Sequence, residues 1–211
     1  MYVPSHFRED RVPLLHDAIR DIAFGALVTV GEDGLVASHV PMLIDAEPAP
    51  FGTLIGHIAR ANPQWRSVKP TIEALAIFTG PNSYISPAWY ATKQQTGKVV
   101  PTWNYVAIHA TGKLRFFDDV ESLRRIVTRL TDTHEADRAE PWRVTDAPGT
   151  YIEAMLKASV GFELKIERLD GKWKMSQNRP AEDRAGVAEG LKQEGGPAEV
   201  AAIVASVQDQ K

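Results

Sequence analysis

The sequence predicts a mainly β (α+β) fold: an antiparallel barrel with peripheral helices and a helical C-terminal tail. Three observations lead there. Six or more short apolar, strand-like runs are separated by turn signals rich in Gly, Pro and Asp. Strands and long helices do not alternate through the first 117 residues, as a doubly wound sheet would require. The chain has 211 residues, 44% hydrophobic and 24% charged. That is enough apolar material for a sizeable core without metal or disulfide staples.

Taken in order, Val12, Leu15, Ile19 and Ile22 recur at spacings of three and four, which marks a helix over 11–24. Pro13 is tolerated in its first turn, and Gly25 is expected to break it. Strands are expected at 26–30 and 35–44, joined by the hairpin turn Gly31-Glu32-Asp33-Gly34. The DAEPAP loop at 45–50 leads to a third strand at 53–59. Asn62-Pro63 suits the cap and first turn of a short helix ending near Val68. A fourth strand is expected at 73–79, and the Pro- and Gly-punctuated stretch 80–98 reads as a long loop.

The strongest β signal covers 99–117, with a turn or bulge expected near Gly112-Lys113. Asp118, with Glu121 three residues on, predicts a helix start; Val120, Leu123, Ile126, Val127 and Leu130 form its apolar stripe. A second helix is expected at 150–157. The Asp170-Gly171 pair predicts a final hairpin between strands at 162–169 and 172–177. From Pro180 onward the chain is rich in Ala and Glu and reads as one or two helices. The expected organisation is a barrel domain over 1–180, with 181–211 as its helical extension.

Several function classes are excluded early. The chain has no cysteine, which removes disulfide scaffolds, Cys-zinc sites, iron–sulfur clusters and thiol catalysis. Twenty-four Lys and Arg against 27 Asp and Glu give a formal charge of -3, so no strongly basic nucleic-acid footprint is present. Charged residues from Arg8 to Arg20 occupy the place of a signal-peptide apolar run, and no stretch approaches a membrane span. A cytoplasmic protein without membrane contact is expected. The dinucleotide, P-loop, nucleophile-elbow and zincin fingerprints are all missing.

Polar residues gather at or just after strands in four places: Ser38-His39-Val40, His57 through Trp65, Thr102-Trp103-Asn104, and Lys174 through Arg179. In the second, Arg60 stands beside a helix start at Asn62, a combination of guanidinium and free N–H groups that suits a phosphate. A lone His57 or His109 is more often structural than a ligand. Asp132, His134, Glu135 and Asp137 look metal-like but follow a helix on a polar stretch, so a solvated surface and no metal site are expected. Arg124, Arg125 and Arg129 read as a solvated basic face.

Six segments in order carry a resemblance: MYVPSHF at 1–7, ASHVP at 37–41, GHIARANPQW at 56–65, FTGPNSYISPAWY at 78–90, VPTWNY at 100–105 with the IHATG that follows, and GFELKIERLDGKWKMSQNRP at 161–180. The chain resembles the PaiB family of FMN-binding negative transcriptional regulators, which is related to split-barrel flavin proteins. The resemblance implies a six-stranded antiparallel split β-barrel that forms a homodimer with FMN at the subunit interface. By position, Arg60 and Asn62 would hold the FMN phosphate with His57 nearby, and Ser38, His39 and Val40 would run along the ribityl chain and ring edge. Thr102, Trp103, Asn104, Lys174, Ser176 and Gln177 would contact the ring or the phosphate. Flavin requires an anion site, an apolar slot and donors at the pyrimidine edge, and these residues offer all three.

No residue identifies itself as a catalytic acid or base. The family's regulatory role is expected to be indirect, because the negative charge and the lack of a helix-turn-helix argue against direct DNA binding. Two alternatives accompany the regulator: a flavin-dependent oxidoreductase acting on a small molecule, and a heme-binding or heme-degrading barrel using His39, His57 or His109 as axial ligand.

Overall fold

A computed structural model describes residues 1–69 and 71–207; the last four residues of the expected helical extension lie outside them. The elements are β1 (Arg8–Glu9), α1 (Val12–Ile22), β2 (Phe24–Gly31), β3 (Gly34–Asp45), β4 (Thr53–Ala59), α2 (Gln64–Ser67) and β5 (Ala74–Ile85). They continue with α3 (Thr92–Thr96), β6 (Thr102–Phe117), α4 (Val120–Glu135), α5 (Gly149–Lys157), β7 (Ser159–Lys174), α6 (Ala181–Gln193) and α7 (Ala198–Ser206). Strand order is β1-β7-β4-β3-β2-β5-β6, and β6 also pairs with β7. Six strands therefore close a ring, with β1 added outside β7. The expected antiparallel six-stranded barrel with a helical tail is present.

Local chemistry accounts for the first half of the ring. Burial alternates along β2, as one face turns to a core and the other away. The expected hairpin joins β2 to β3, with Gly31 opposite Gly34 and Gly34 at φ +115°. β4 pairs β3 on one side and β7 on the other. The first helix ends earlier than expected: Ala23 at φ +52° makes the turn, and Gly25 already pairs Val40.

Four expectations about the second half are corrected. The 80–98 stretch is not all loop, because β5 runs on through Pro81 to Ile85 and α3 follows. β6 runs through Gly112 as one continuous strand, so no turn breaks it there. A Cβ at Gly112 would collide with the Lys165 carbonyl, so this glycine permits a close backbone approach instead of a reversal. Asp170-Gly171 does not turn either. β7 continues to Lys174, and Gly171 and Lys172 pair with Glu9 and Arg8 of β1. Pairing to a segment 160 residues away overrides the local turn preference. The fourth helix also starts one residue late: Asp119, not Asp118, caps it, accepting the Ser122 N–H at 2.9 Å.

The chain divides into two compact units. One comprises Val12–Phe78 and His109–Leu169. Within it Leu123, Val144, Ile152 and Leu156 form one apolar cluster, and Ile55, Ile126 and Leu130 another. The other comprises Met1–Arg11, Thr79–Ile108 and the chain from Asp170 onward. Its core gathers Ile85, Tyr90, Val106 and Met175 with the apolar faces of α6 and α7.

Candidate functional site

The sequence-predicted residues fall into two sets, one in each unit. In the unit containing β2–β4, Ser38, His39 and Val40 lie on β3, His57 on β4, and Arg60 and Asn62 just beyond it. Ser38 is half-buried, His39 is exposed and stacks on Phe24 with centroids 6.2 Å apart, and Val40 is buried in the core. The Asn62 amide donates to Ser38 Oγ at 2.8 Å, while its oxygen accepts the Gln64 N–H at 3.0 Å. Asn62 thus caps the short helix itself.

Arg60 is similarly committed. Its Nε donates to Lys157 O at 2.6 Å, and its two terminal nitrogens to Asp118 at 3.1 Å and Ser159 O at 3.2 Å. The guanidinium also lies 5.8 Å from the Trp65 ring centroid. Three of five N–H groups are therefore used within the fold, leaving two for a ligand. Nδ1 of His57 is buried without a hydrogen-bond partner, and burial holds the imidazole below its usual pKa.

The second set sits on β6 and the end of β7. Lys174 Nζ donates to Thr102 Oγ1 and to the Trp103 carbonyl, and its ammonium lies 6.0 Å from the Phe7 ring centroid. Burial first, then the nearby Lys172 and Arg179 charges, lower the Lys174 pKa. Asn104 and Ser176 are buried and paired, Nδ2 to Oγ at 2.9 Å. Ser176 takes φ +64°, a conformation uncommon outside glycine. Gln177 turns inward on the chain, donating to Trp173 O at 2.6 Å and accepting from Met175 N at 2.7 Å. It shapes the turn that presents Ser176. Trp103 is exposed and meets Tyr84 edge-on at 6.4 Å.

Sequence reasoning passed over two residues that matter to these places. Gln64 is fully buried, and its amide donates to Leu27 O and Thr29 Oγ1, both at 3.0 Å. It ties α2 to β2, and a polar residue right after Asn-Pro was the available signal. Tyr90 is buried with its hydroxyl unpartnered, next to the Lys174 group. Nothing in its local sequence marks it, because Lys174 and Arg179 lie 84 and 89 positions further along the chain.

Of the other flagged residues, Arg125, Arg129 and Glu135 have structural partners, Arg125 donating to Ser122 Oγ at 2.9 Å. Arg129 pairs bidentately with Asp45, at 3.0 and 2.5 Å, and Glu135 binds Arg138 at 2.8 Å and the Trp142 N–H at 3.1 Å. Arg124, Asp132, Glu135, Trp142 and Arg143 line a cavity of about 500 Å³ of mixed charge, containing none of the predicted site residues.

Comparison with known proteins gives the following. The family model described as "Putative FMN-binding domain" matches residues 1–168. The protease synthase and sporulation protein PAI 2 of Bacillus subtilis is 32% identical over 197 residues, covering 93% of this chain and 92% of that protein. An uncharacterized protein of Aspergillus fumigatus is 37% identical over 240 residues, 92% of each. Among solved structures, the FAD and heme binding protein of Mycobacterium smegmatis has a TM-score of 0.57 at 15% identity, covering 79% of this chain and 73% of that one. At that identity the likeness is one of fold.

Proposed function

The chain belongs to the PaiB family of FMN-binding-domain proteins, and on that premise we propose a flavin-dependent regulator that works in the cytoplasm as a homodimer. FMN is its cofactor, and the family's split-barrel architecture is the six-stranded ring described above. The proposed flavin site lies at the subunit interface and uses Ser38, His39, Val40, His57, Arg60 and Asn62 together with Thr102, Trp103, Asn104, Lys174, Ser176 and Gln177.

One observation supports this most. β6 and the end of β7 collect a half-buried ammonium and two buried hydrogen-bonding side chains in one pocket, lined also by the Phe7 and Tyr90 rings. An anionic, amphipathic ring cofactor calls for that mixture. When bound, FMN supplies the electron and hydride chemistry. The chain's own groups orient it: Asn104 and Ser176 as neutral donors and acceptors, Lys174 as a positive charge. The formal charge of -3 supports control through flavin state or a protein partner over a direct grip on DNA.

The test titrates the purified full chain with FMN and with riboflavin, following flavin fluorescence and visible absorption. Saturable quenching at micromolar FMN is expected, with FMN at least about tenfold tighter than riboflavin because a charge-assisted contact is worth roughly 1.5–3 kcal/mol. Absence of saturable quenching would overturn the reading. So would a Soret band on heme addition that flavin does not displace.

A further inference from the structure

We propose that the pocket bounded by Lys174, Arg179 and Tyr90 is an oxyanion site that takes a phosphate group, either free or carried on a phosphate monoester. The pocket measures about 130 Å³ and is lined chiefly by Tyr90, Thr102, Asn104, Lys174, Ser176 and Arg179. Water occupies about 30 Å³ per molecule, so the space corresponds to about four waters or one tetrahedral oxyanion. Whole cofactor sites begin near about 300 Å³. A space of that volume holds one end group of a ligand and not the whole of a cofactor.

Charge selects its sign. Two cations line the pocket and no carboxylate does. Among the described residues, neither Lys174 nor Arg179 forms an ion pair, and nor does the buried Lys172 close by. Asp183, whose field reaches Tyr90, has both oxygens taken by the Thr92 N–H and hydroxyl at 2.9 and 2.8 Å. Gathering like charges away from water is unfavourable unless an anion completes the set. Two positive charges match a phosphate dianion.

The donors are of the right kind. The Arg179 guanidinium carbon lies 4.6 Å from the Tyr90 ring centroid, a cation–π contact that holds near the pocket a planar fork suited to phosphate. The Tyr90 hydroxyl, 2% exposed as a residue, has no hydrogen-bond partner. Buried polar groups are seldom left so, and burial keeps this phenol protonated and able to donate. Lys174, the last residue of β7, adds a point charge. Ser176, buried in the lining, holds a left-handed backbone of the kind that clusters at working sites.

The inference stands on this pocket and not on the flavin reading; flavin binding without any phosphate effect would defeat the one and spare the other. The experiment measures thermal stability of the full-length, flavin-free chain against inorganic phosphate, with chloride and acetate at matched ionic strength. A saturable rise in Tm with phosphate alone is expected. Arg179→Gln should abolish it, and Tyr90→Phe should weaken the apparent affinity about three- to tenfold. Arg179→Lys, which keeps the charge and removes the fork, serves if the glutamine variant does not fold, and should lose at least about tenfold in affinity. If FMN loading removes the phosphate response and Arg179→Gln weakens FMN but not riboflavin, the occupant is the flavin's own phosphate. If the FMN-loaded chain still responds, the occupant is a separate phosphate ligand. Equal stabilisation by acetate, no rise above chloride, or an unchanged response in both Arg179 variants would overturn the assignment.

Discussion

Arg60 reaches three acceptors at once, two of them backbone carbonyls on the segment that joins α5 to β7. Removing its guanidinium leaves those groups without a donor. Arg60→Ala is therefore expected to cost about 2 kcal/mol, a Tm drop of roughly 4–8 °C for a chain of this size. An unchanged Tm would show that water replaces all three bonds. FMN affinity in this variant is informative only below its own transition; there, a flavin affinity equal to wild type removes Arg60 from the phosphate assignment. His57 carries a pH dependence whose sign follows from burial. The folded protein holds the imidazole below its unfolded pKa of 6.5, so it binds fewer protons than the unfolded chain. Its contribution to stability is complete above about pH 6.5 and is lost as pH falls through the lowered folded value. Denaturant midpoints measured between pH 7.5 and 5.5 should fall less in His57→Gln than in wild type. Lys174 shifts in the same direction and for the same first reason, burial. Its charge is held in a pocket that depresses its pKa, so at neutral pH the ammonium works against folding. Lys174→Met removes that cost together with the bonds to Thr102 Oγ1 and the Trp103 carbonyl, so the ligand-free Tm should fall less than in Arg60→Ala, and an equal or larger fall would contradict the unpaired-charge account.

Strands β2, β3 and β4 are legible in the sequence because alternation, a Gly-Glu-Asp-Gly turn and the DAEPAP loop all act locally. The ends of β5, β6 and β7 are not, because each is set by a distant partner. Pro81 stays in β5, Gly112 lets the Lys165 backbone come close, and Gly171 pairs with Glu9. The site divides the same way. Lys174, Ser176 and Gln177 stand out as a polar run at a strand end, and their hydrogen bonds turn out to be specific. Tyr90 escapes notice, and Arg179, although part of the polar run 174–179, acquires its place only by packing against Tyr90. Packing also explains the glycines of α6. A Cβ at Gly190 would run into the Trp89 ring, whose Nε1 donates to Glu194 at 2.8 Å on the same helical segment. Gly190→Val should force that ring aside and cost about 1–3 kcal/mol. Loss of Trp89 fluorescence anisotropy alongside the stability change would locate the damage, whereas a neutral result would mean the helix shifts freely.

At the scale of the molecule, exposed apolar side chains on the barrel strands bear on assembly. Phe24, Leu35, Tyr84 and Trp103 all remain solvent-accessible, and Leu35 keeps 79% of its surface. Apolar surface on strands is a common mark of association. Sedimentation at micromolar concentration is expected to give a dimer, and a monomer would count against both the homodimer and an interface flavin. Among the described residues no helix is long and apolar enough to cross a membrane. The cluster of unpaired cations around Lys174 has one more consequence, in the lifetime of the chain. A ligand that binds only the folded form lowers the unfolded population by its saturation, about 2.7 kcal/mol at a hundredfold excess over Kd. Proteases sample that population, so cleavage in the fast-reclosing regime slows about a hundredfold under those conditions. Phosphate availability would then be written directly into how long each copy survives, and the amount of protein would report on its ligand before any regulated step began.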